Sequence, residues 1–337
     1  MAAFVPPATY RALRVSLEDG AARRAVLDVP WSVLPDHDVT VRVSHSSLNY
    51  KDALSASGNR GVTRDYPHTP GIDAAGTVVA SRDPRFAEGD AVVCTGFDLG
   101  MGTAGGLAKY VRVPGDWLVR RPAALSARDA MALGTAGLTA ALAVDRMAAA
   151  GATADLGPAV VTGASGGVGS LAVALLAGAG YEVVASTGKA AAAELLGRLG
   201  AARTLPRAEL ATESQRPLLS AQYAGGVDTV GGATLANLLK STAIGGAVAA
   251  CGLVGGSDVP LTAFPFILRG VALLGVDSQH APMAVREAVW ERLATDARLL
   301  GLVQDAELVR ETGLDALEEP FAALLAGGVT GRIVVRL

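Results

Sequence analysis

A glycine-rich turn between an apolar strand and an apolar helix constrains this chain more than any other feature. Ala159, Val160, Val161 and Thr162 form the strand, Gly163-Ala164-Ser165-Gly166-Gly167-Val168-Gly169 follows, and helical periodicity then sets in. A strand that turns straight into a helix leaves the first N–H groups of the helix without partners. Together with the helix dipole they attract phosphate. Glycine at 166 removes a Cβ where backbone meets phosphate, and glycine at 169 lets the helix pack close to the sheet. Ala164 takes the first glycine position of the dinucleotide fingerprint. A glycine-rich turn alone can serve only to redirect the chain; the strand and helix around it point to dinucleotide binding.

The neighbouring segments agree. Helices are predicted over Ala127–Leu133, with Ser126 as N-cap, and over Thr139–Ala150, ending at Gly151. Next come strand Ala159–Thr162, helix Gly167–Ala177, strand Glu182–Ser186, helix Ala190–Leu199, and strands near Arg203–Leu205, Val227–Val230, Ala247–Cys251 and Leu273–Val276. Apolar runs separated by helical patterns mean an α/β fold, a doubly wound parallel sheet with helices on both faces. The connection from Arg207 to Gly226 shows no clear period. Residues 12 to 120 read differently, as short strands (Ala12–Val15, Val39–Ser44, Ala74–Ala80, Ala91–Thr95, Ala108–Val113) cut by turns such as Glu88-Gly89-Asp90. That half resembles an irregular β-barrel. Helices Met283–Thr295 and Leu314–Leu325 and a strand Gly331–Arg336 complete the chain. A length of 337 residues fits two domains. They are assigned as 1–127 with 284–337, and 128–283.

Composition excludes several classes. The net charge of -3, with basic residues scattered, argues against nucleic acid. No apolar run reaches the length of a membrane helix, and Met1 to Tyr10 lacks the pattern of a signal peptide. A soluble, cytoplasmic protein is the expectation. The two cysteines, Cys94 and Cys251, are too few for a disulfide framework and read as reduced core thiols. The four histidines, His37, His45, His68 and His280, are not paired at ligand spacing, so no metal is expected. His45 reads as structural.

The end of the second strand selects the cofactor. NAD enzymes place an acid about 20 residues past the glycines for the ribose 2′-OH. Here Tyr181-Glu182-Val183-Val184-Ala185-Ser186-Thr187-Gly188-Lys189 ends without one. A hydroxyl (Ser186 or Thr187), Gly188 and the Lys189 ammonium suit a 2′-phosphate, which a carboxylate would repel. NADPH is therefore expected, the plainer alternative being a solvated lysine at a helix start. A second group, Ser46-Ser47-Leu48-Asn49-Tyr50-Lys51-Asp52, gathers an amide, a phenol, an ammonium and a carboxylate after a barrel strand. Tyr50 can hydrogen-bond a substrate carbonyl, or simply pack on the barrel rim.

These strings resemble one family. Ser47-Leu48-Asn49-Tyr50-Lys51-Asp52, Pro70-Gly71-Ile72-Asp73-Ala74-Ala75-Gly76-Thr77, Pro114-Gly115-Asp116-Trp117-Leu118-Val119, Gly134-Thr135-Ala136-Gly137-Leu138-Thr139-Ala140, the glycine turn, Pro265-Phe266-Ile267-Leu268-Arg269-Gly270 and Gly275-Val276-Asp277-Ser278 are similar, in order, to the zinc-free medium-chain dehydrogenase/reductases of the YhdH/YhfP quinone oxidoreductase type, which include the acrylyl-CoA reductase AcuI. The resemblance implies a GroES-like catalytic barrel plus a Rossmann NADPH domain, and a homodimer. It implies that Tyr50 lies against the nicotinamide end and that Ser165, Gly166, Gly167 and Val168 hold the pyrophosphate. Thr187, Gly188, Lys189 and Arg207, with Ser186 beside them, would grip the adenosine phosphate. Leu253, Ile267 and Ser278 would line the nicotinamide and its ribose, and Thr139 would join the cofactor set. Residues 326–332 lack the Asn that members often carry before the last strand, and the loop 96–103 lacks the tryptophans of the acrylyl-CoA reductases.

The expected chemistry is hydride transfer to the β-carbon of an α,β-unsaturated carbonyl compound, with Tyr50 and Asn49 at the developing enolate oxygen. Arg60 and Arg64 are candidates for the phosphates of a CoA thioester, or solvated surface arginines. An acrylyl-CoA or enoyl thioester reductase is the first expectation. A quinone or enone reductase is the second, and an NADPH-binding protein without significant turnover is the third.

Overall fold

The computed structural model describes residues 4–337; Met1 to Ala3, where the N-terminal stretch read above begins, lie outside the described residues. The chain forms two compact units. One runs up to Thr135 and resumes over Gln279–Leu337; the other spans Ala136–Ser278.

In the first unit, β1 (Thr9–Glu18) and β2 (Ala21–Pro30) form an antiparallel hairpin. Its turn, Asp19-Gly20, has φ of 50° and 81°, the geometry that matches strand twist. Five further strands follow: β3 (Val39–Ser47), β4 (Asp73–Ser81), β5 (Ala91–Thr95), β6 (Tyr110–Val113) and β7 (Leu118–Arg120). Alternation along them turns Val39, Val41 and Val43 inward against Val78, Val92, Cys94, Val111 and Val113, the barrel core. After β3 the chain enters a short helix, α1 (Tyr50–Ala56), that the sequence reading did not mark. Ala53 and Ala56 of α1 pack with Leu13, Leu48, Leu107, Phe321 and Ile333 in a second core.

Ser126 caps the next helix as expected, accepting the Asp129 N–H at 3.1 Å and donating to the Asp129 carboxylate at 2.6 Å. The sequence suggested two helices here. The structure carries one run, α2 (Ala127–Ala149), broken internally at Gly134, whose φ of 52° and ψ of -154° are not helical.

The second unit holds β8 (Ala159–Thr162), β9 (Val183–Thr187), β10 (Ala201–Pro206), β11 (Tyr223–Asp228), β12 (Thr242–Ala250) and β13 (Ala272–Gly275). All pair in parallel, in the order β10-β9-β8-β11-β12-β13. This is the doubly wound arrangement, and its strand order reverses between β8 and β11, where ligands of such sheets bind. Val160, Val184, Leu235, Leu238 and Val248 fill the core beside the sheet. The illegible stretch after Arg207 is held by distant side chains: Asn237 donates to the Leu210 and Thr212 carbonyls, Lys240 to Ser214 and Arg269 to Leu219, at 2.6–2.8 Å.

The chain then returns to the barrel as β14 (Val309–Gly313) and β15 (Arg332–Arg336). Their sheet runs β14-β15-β3-β4-β5-β7, with β6 on β3. Among the described residues, no helix is long and apolar enough to cross a membrane.

Candidate functional site

Two groups of functional side chains take shape, one in each unit. In the second unit, β8 runs through the glycine turn into α3 (Gly167–Gly178), with Gly166 as N-cap. Gly163 has φ of 59°, and a Cβ there would lie 2.3 Å from the Thr229 hydroxyl. A Cβ on Gly169 would lie 2.3 Å from the Gly163 carbonyl, so helix and turn touch backbone to backbone. Asp228, fully buried at the end of β11, ties the reversal point together. Its carboxylate accepts the Thr162 hydroxyl at 2.7 Å and the Gly231 N–H at 2.7 Å. Burial pushes its pKa above the ordinary carboxylate value, against the pull of those donors. Sequence reasoning passed over Asp228; an acid ending an otherwise apolar strand was its signal.

The end of β9 brings the expected phosphate residues together. The Thr187 hydroxyl lies 3.0 Å from that of Ser165 and accepts the Lys189 N–H at 3.1 Å. Arg207 donates its N–H to the Thr187 carbonyl at 3.0 Å. Its side chain lies against Gly188, where a Cβ would stand 2.8 Å from Arg207 Cδ and Nε. Ser186 and Thr187, the two hydroxyls left open by the sequence, are both buried at the end of β9, and that of Thr187 makes the contacts just described. Glu182 is exposed just before β9. The Thr139 hydroxyl donates to that of Ser278 at 2.7 Å. Leu253 and Ile267 present exposed side chains.

In the first unit, Tyr50 opens α1 and is 41% exposed. The residues around its helix start are tightly hydrogen-bonded. The Asn49 N–H donates to Asp52 at 2.7 Å, closing the first turn of α1. The Asn49 amide nitrogen donates to Asp73 at 2.8 Å, and its oxygen accepts from Arg332 at 3.2 Å. Asp73 also accepts the Ser47 hydroxyl at 2.6 Å, the Thr135 hydroxyl at 2.6 Å and the Thr135 N–H at 3.0 Å. Arg332 donates further to the Ala132 carbonyl and to Ser47, both at 2.9 Å, and stands 3.8 Å from the Asp73 carboxylate. Burial pushes the Asp52 carboxyl up to about 7, the Asp73 charge adding to the rise and the Asn49 and Ile72 N–H groups opposing it. Burial likewise lowers the Arg332 pKa, which Asp73 and Asp52 partly restore. The Lys51 ammonium donates to the Gln279 side chain at 2.7 Å.

Asp73, Ser47, Thr135 and Arg332 were not singled out from the sequence as site residues. The available signal was a carboxylate, Asp73, flanked by Ile72 and Ala74 in an apolar strand. A buried charge needs partners. Arg60 and Arg64 are exposed, and the Arg60 guanidinium donates to the Arg64 carbonyl at 3.2 Å. In the loop 96–103, Phe97 stacks on Trp117 at 5.5 Å, and the buried Arg286 guanidinium lies 4.1 Å from its ring centre.

The donors present do not assemble into a zinc site. Among the described residues no three His, Cys, Asp or Glu side chains group as a metal site would require. Both cysteines lie in surroundings that push their thiols up to about 12, mainly by burial, away from the thiolate a zinc ion binds. His45 is half-buried beside the Ser44 hydroxyl, at 3.2 Å.

Residues 35–123 match the alcohol dehydrogenase GroES-like domain, and residues 167–295 match the zinc-binding dehydrogenase domain. The quinone-oxidoreductase-type protein YhfP of Bacillus subtilis (strain 168) is 47% identical over 90% of this chain and 92% of YhfP. The acrylyl-CoA reductase AcuI of Ruegeria pomeroyi is 46% identical over 94% of this chain and 96% of its own. Escherichia coli K-12 YhdH with bound NADPH superimposes with a TM-score of 0.92 at 47% identity, covering 96% of this chain and 99% of YhdH. Bacillus subtilis YhfP with NAD bound gives 0.92 at 44% identity, covering 98% of this chain and all (100%) of YhfP. With GroES-like and Rossmann-like halves in common with these enzymes, the chain belongs to the zinc-independent medium-chain dehydrogenase/reductase family of YhdH, YhfP and AcuI, a family of oxidoreductases.

Proposed function

We propose that this chain is an NADPH-dependent reductase of activated C=C bonds and quinone-like acceptors, and that its own acceptor is a quinone or an enone. The observation that carries this reading is likeness over 96% of the chain, at 47% identity, to a YhdH structure that holds NADPH. The residues fit such a cofactor. The close backbone approach at Gly163 and Gly169 suits a pyrophosphate held by Ser165, Gly166, Gly167 and Val168. Thr187, Gly188, Lys189 and Arg207, beside Ser186, suit the 2′-phosphate. Tyr50, Thr139, Leu253, Ile267 and Ser278 are assigned to the nicotinamide end. The proposed catalytic domain comprises residues 1–127 and 284–337, and the cofactor domain residues 128–283.

When bound, the dihydronicotinamide supplies the hydride. The Tyr50 phenol donates a hydrogen bond to the substrate oxygen on which charge develops, which favours the transition state over the ground state. Asn49 has its amide held by Asp73 and Arg332 and so fixes the start of the helix that carries Tyr50, rather than meeting the substrate itself. Water protonates the product. Replacing Tyr50 with Phe should lower kcat about tenfold to a hundredfold. Full turnover by that variant would remove Tyr50 from the mechanism.

A second reading, reduction of an acrylyl-CoA or enoyl thioester, is favoured by the 46% identity to AcuI. It needs Arg60 and Arg64 for the CoA phosphates. The test is NADPH oxidation with a quinone, a simple enone, acrylyl-CoA and crotonyl-CoA side by side. Turnover of the quinone or enone alone upholds the first reading. Dominant turnover of acrylyl-CoA, with a raised KM in the Arg60→Ala/Arg64→Ala variant, moves the assignment to the second. NADPH binding with no oxidation by any acceptor would leave a binding protein.

We also propose a cytoplasmic homodimer. β13 ends its sheet, and Leu273 on that strand and Leu268 nearby are exposed, a combination that suits pairing with a second copy. A monomer in light scattering would refute the dimer, and recovery in a membrane or secreted fraction would refute the location.

A further inference from the structure

We infer that Asp228 is a positioning residue: its two carboxylate oxygens fasten the start of the glycine turn to the pair of loops that carries Leu253, and so hold the two halves of a bound dinucleotide in register. The inference rests on the cofactor reading above and goes beyond it, because it gives a task to a side chain that need not touch the cofactor.

In an open parallel sheet the ligand lies outside the carboxyl ends of the strands, where their order reverses. Here those ends belong to β8 and β11. Their ladder pairs as far as Val161 with Val227. One residue on, side chains take over the joining. Thr162 and Asp228 are both fully buried. The Thr162 hydroxyl donates to Asp228 Oδ1 at 2.7 Å, and the Gly231 and Val230 N–H groups donate to Oδ2 at 2.7 and 3.3 Å. Thr162 Oγ1 in turn accepts the Thr229 N–H at 3.0 Å. One carboxylate oxygen thus serves the strand that enters the glycine turn, and the other serves the loop after β11.

That loop is pressed against a second. The Gly255 N–H donates to the Val230 carbonyl at 2.7 Å. A Cβ on Gly231 would lie 2.6 Å from the Gly256 carbonyl oxygen and 3.1 Å from Leu253 Cα, and one on Gly252 would lie 2.2 Å from the Thr229 carbonyl oxygen. Residues 229–232 and 252–256 therefore form one packed body, and Leu253, assigned above to the nicotinamide end, belongs to it. The glycine turn has bonds of its own: the Ala164 N–H donates to the Ser186 carbonyl at 3.0 Å and the Gly166 N–H to the Gly163 carbonyl at 2.9 Å. Thr162, with Asp228 and Thr229, joins the two bodies. A carboxylate suits that joint because both its oxygens only accept, so a hydroxyl on one side and N–H groups on the other are satisfied together. An amide of the same shape turns a donor toward one of them.

The test separates the two halves of the cofactor. Dissociation constants for NADPH and for 2′-phospho-ADP-ribose, which lacks the nicotinamide ring, are measured for the wild type, Asp228→Asn, Thr162→Val and the double variant, together with kcat at one saturating acceptor. In Asp228→Asn the Kd for NADPH should rise about tenfold and kcat should fall about tenfold, because the ring is no longer held in place, while the Kd for the ring-less fragment changes by less than about twofold. Thr162→Val should shift the same three quantities in the same direction, and the double variant should lose no more than the worse single one. A fragment weakened as much as NADPH would mean that the whole sheet has loosened and would overturn the inference. Unchanged NADPH binding and turnover, or losses that add in the double variant, would overturn it as well. Should Asp228→Asn fail to fold, Thr162→Val decides on the same comparison of NADPH with the fragment. A wild type that binds neither ligand would instead overturn the cofactor reading underneath.

Discussion

At the scale of single residues, the ground beneath Tyr50 is set by a glycine and a buried acid. Gly134 breaks α2 with φ of 52° and ψ of -154°, a region nearly closed to other residues. A Cβ there would meet Asp73 Oδ2 at 2.5 Å, the Arg332 guanidinium at 2.9 Å and Ser47 Oγ at 3.0 Å. Gly134→Ala combines backbone strain with a clash inside a buried ionic group and should lower the melting temperature by on the order of 5 °C or more. A variant that melts with the wild type would show that the group can rearrange. Asp52, raised from 3.8 to about 7, keeps its proton in the folded chain where the unfolded chain has released it. The unfolded state then binds fewer protons, so this residue makes stability fall as pH rises from about 4 to about 7, and contributes no further slope above that. Asp52→Asn should flatten the melting temperature across that range. Equal slopes in variant and wild type would mean that Asp52 titrates normally.

At the scale of elements, legibility in the sequence followed periodicity. β8, α3 and the helix Met283–Thr295 stand where their apolar patterns place them, because each buries a face against a neighbour close in the fold. α1 left no such mark. It is seven residues long and is started by the Asn49–Asp52 contact rather than by a stripe. β2 was missed because Arg24 stands between Ala22 and Val26 on its half-buried face, so that face shows no apolar run. Residues 207–226 were unreadable because what orders them is Asn237, Lys240 and Arg269, far along the chain. In the candidate site, the residues proposed for the cofactor phosphates could be picked out because helix starts and strand ends have a local grammar. The Asp73–Arg332 group was not, since no local rule pairs residues so distant. The edge strand β13 carries its own expectation. Leu273→Lys would set an ammonium into the proposed contact between copies and should give a monomer in light scattering, with the NADPH site intact. A dimer that survives this change would have to use another surface.

At the scale of the whole molecule, a cofactor that binds only the folded chain must stabilise it. NADPH at about 100 times its Kd should add roughly 2.7 kcal/mol, a rise of several degrees in melting temperature, and NADH at the same concentration should add less. A melting temperature indifferent to NADPH would remove the cofactor from the proposal. The route of the chain has a further consequence. The second unit is one unbroken stretch, Ala136–Ser278, whereas the barrel sheet is completed only by β15, which pairs Val334 with Ser47. On the ribosome, β3 and β4 therefore emerge long before the strand that lies beside β3. Until Arg332 has been added, Asp73 lacks the guanidinium that stands beside it in the finished fold. The nascent barrel has to wait, open at one edge and with Asp73 unmatched, while the nucleotide-binding sheet is free to form behind it.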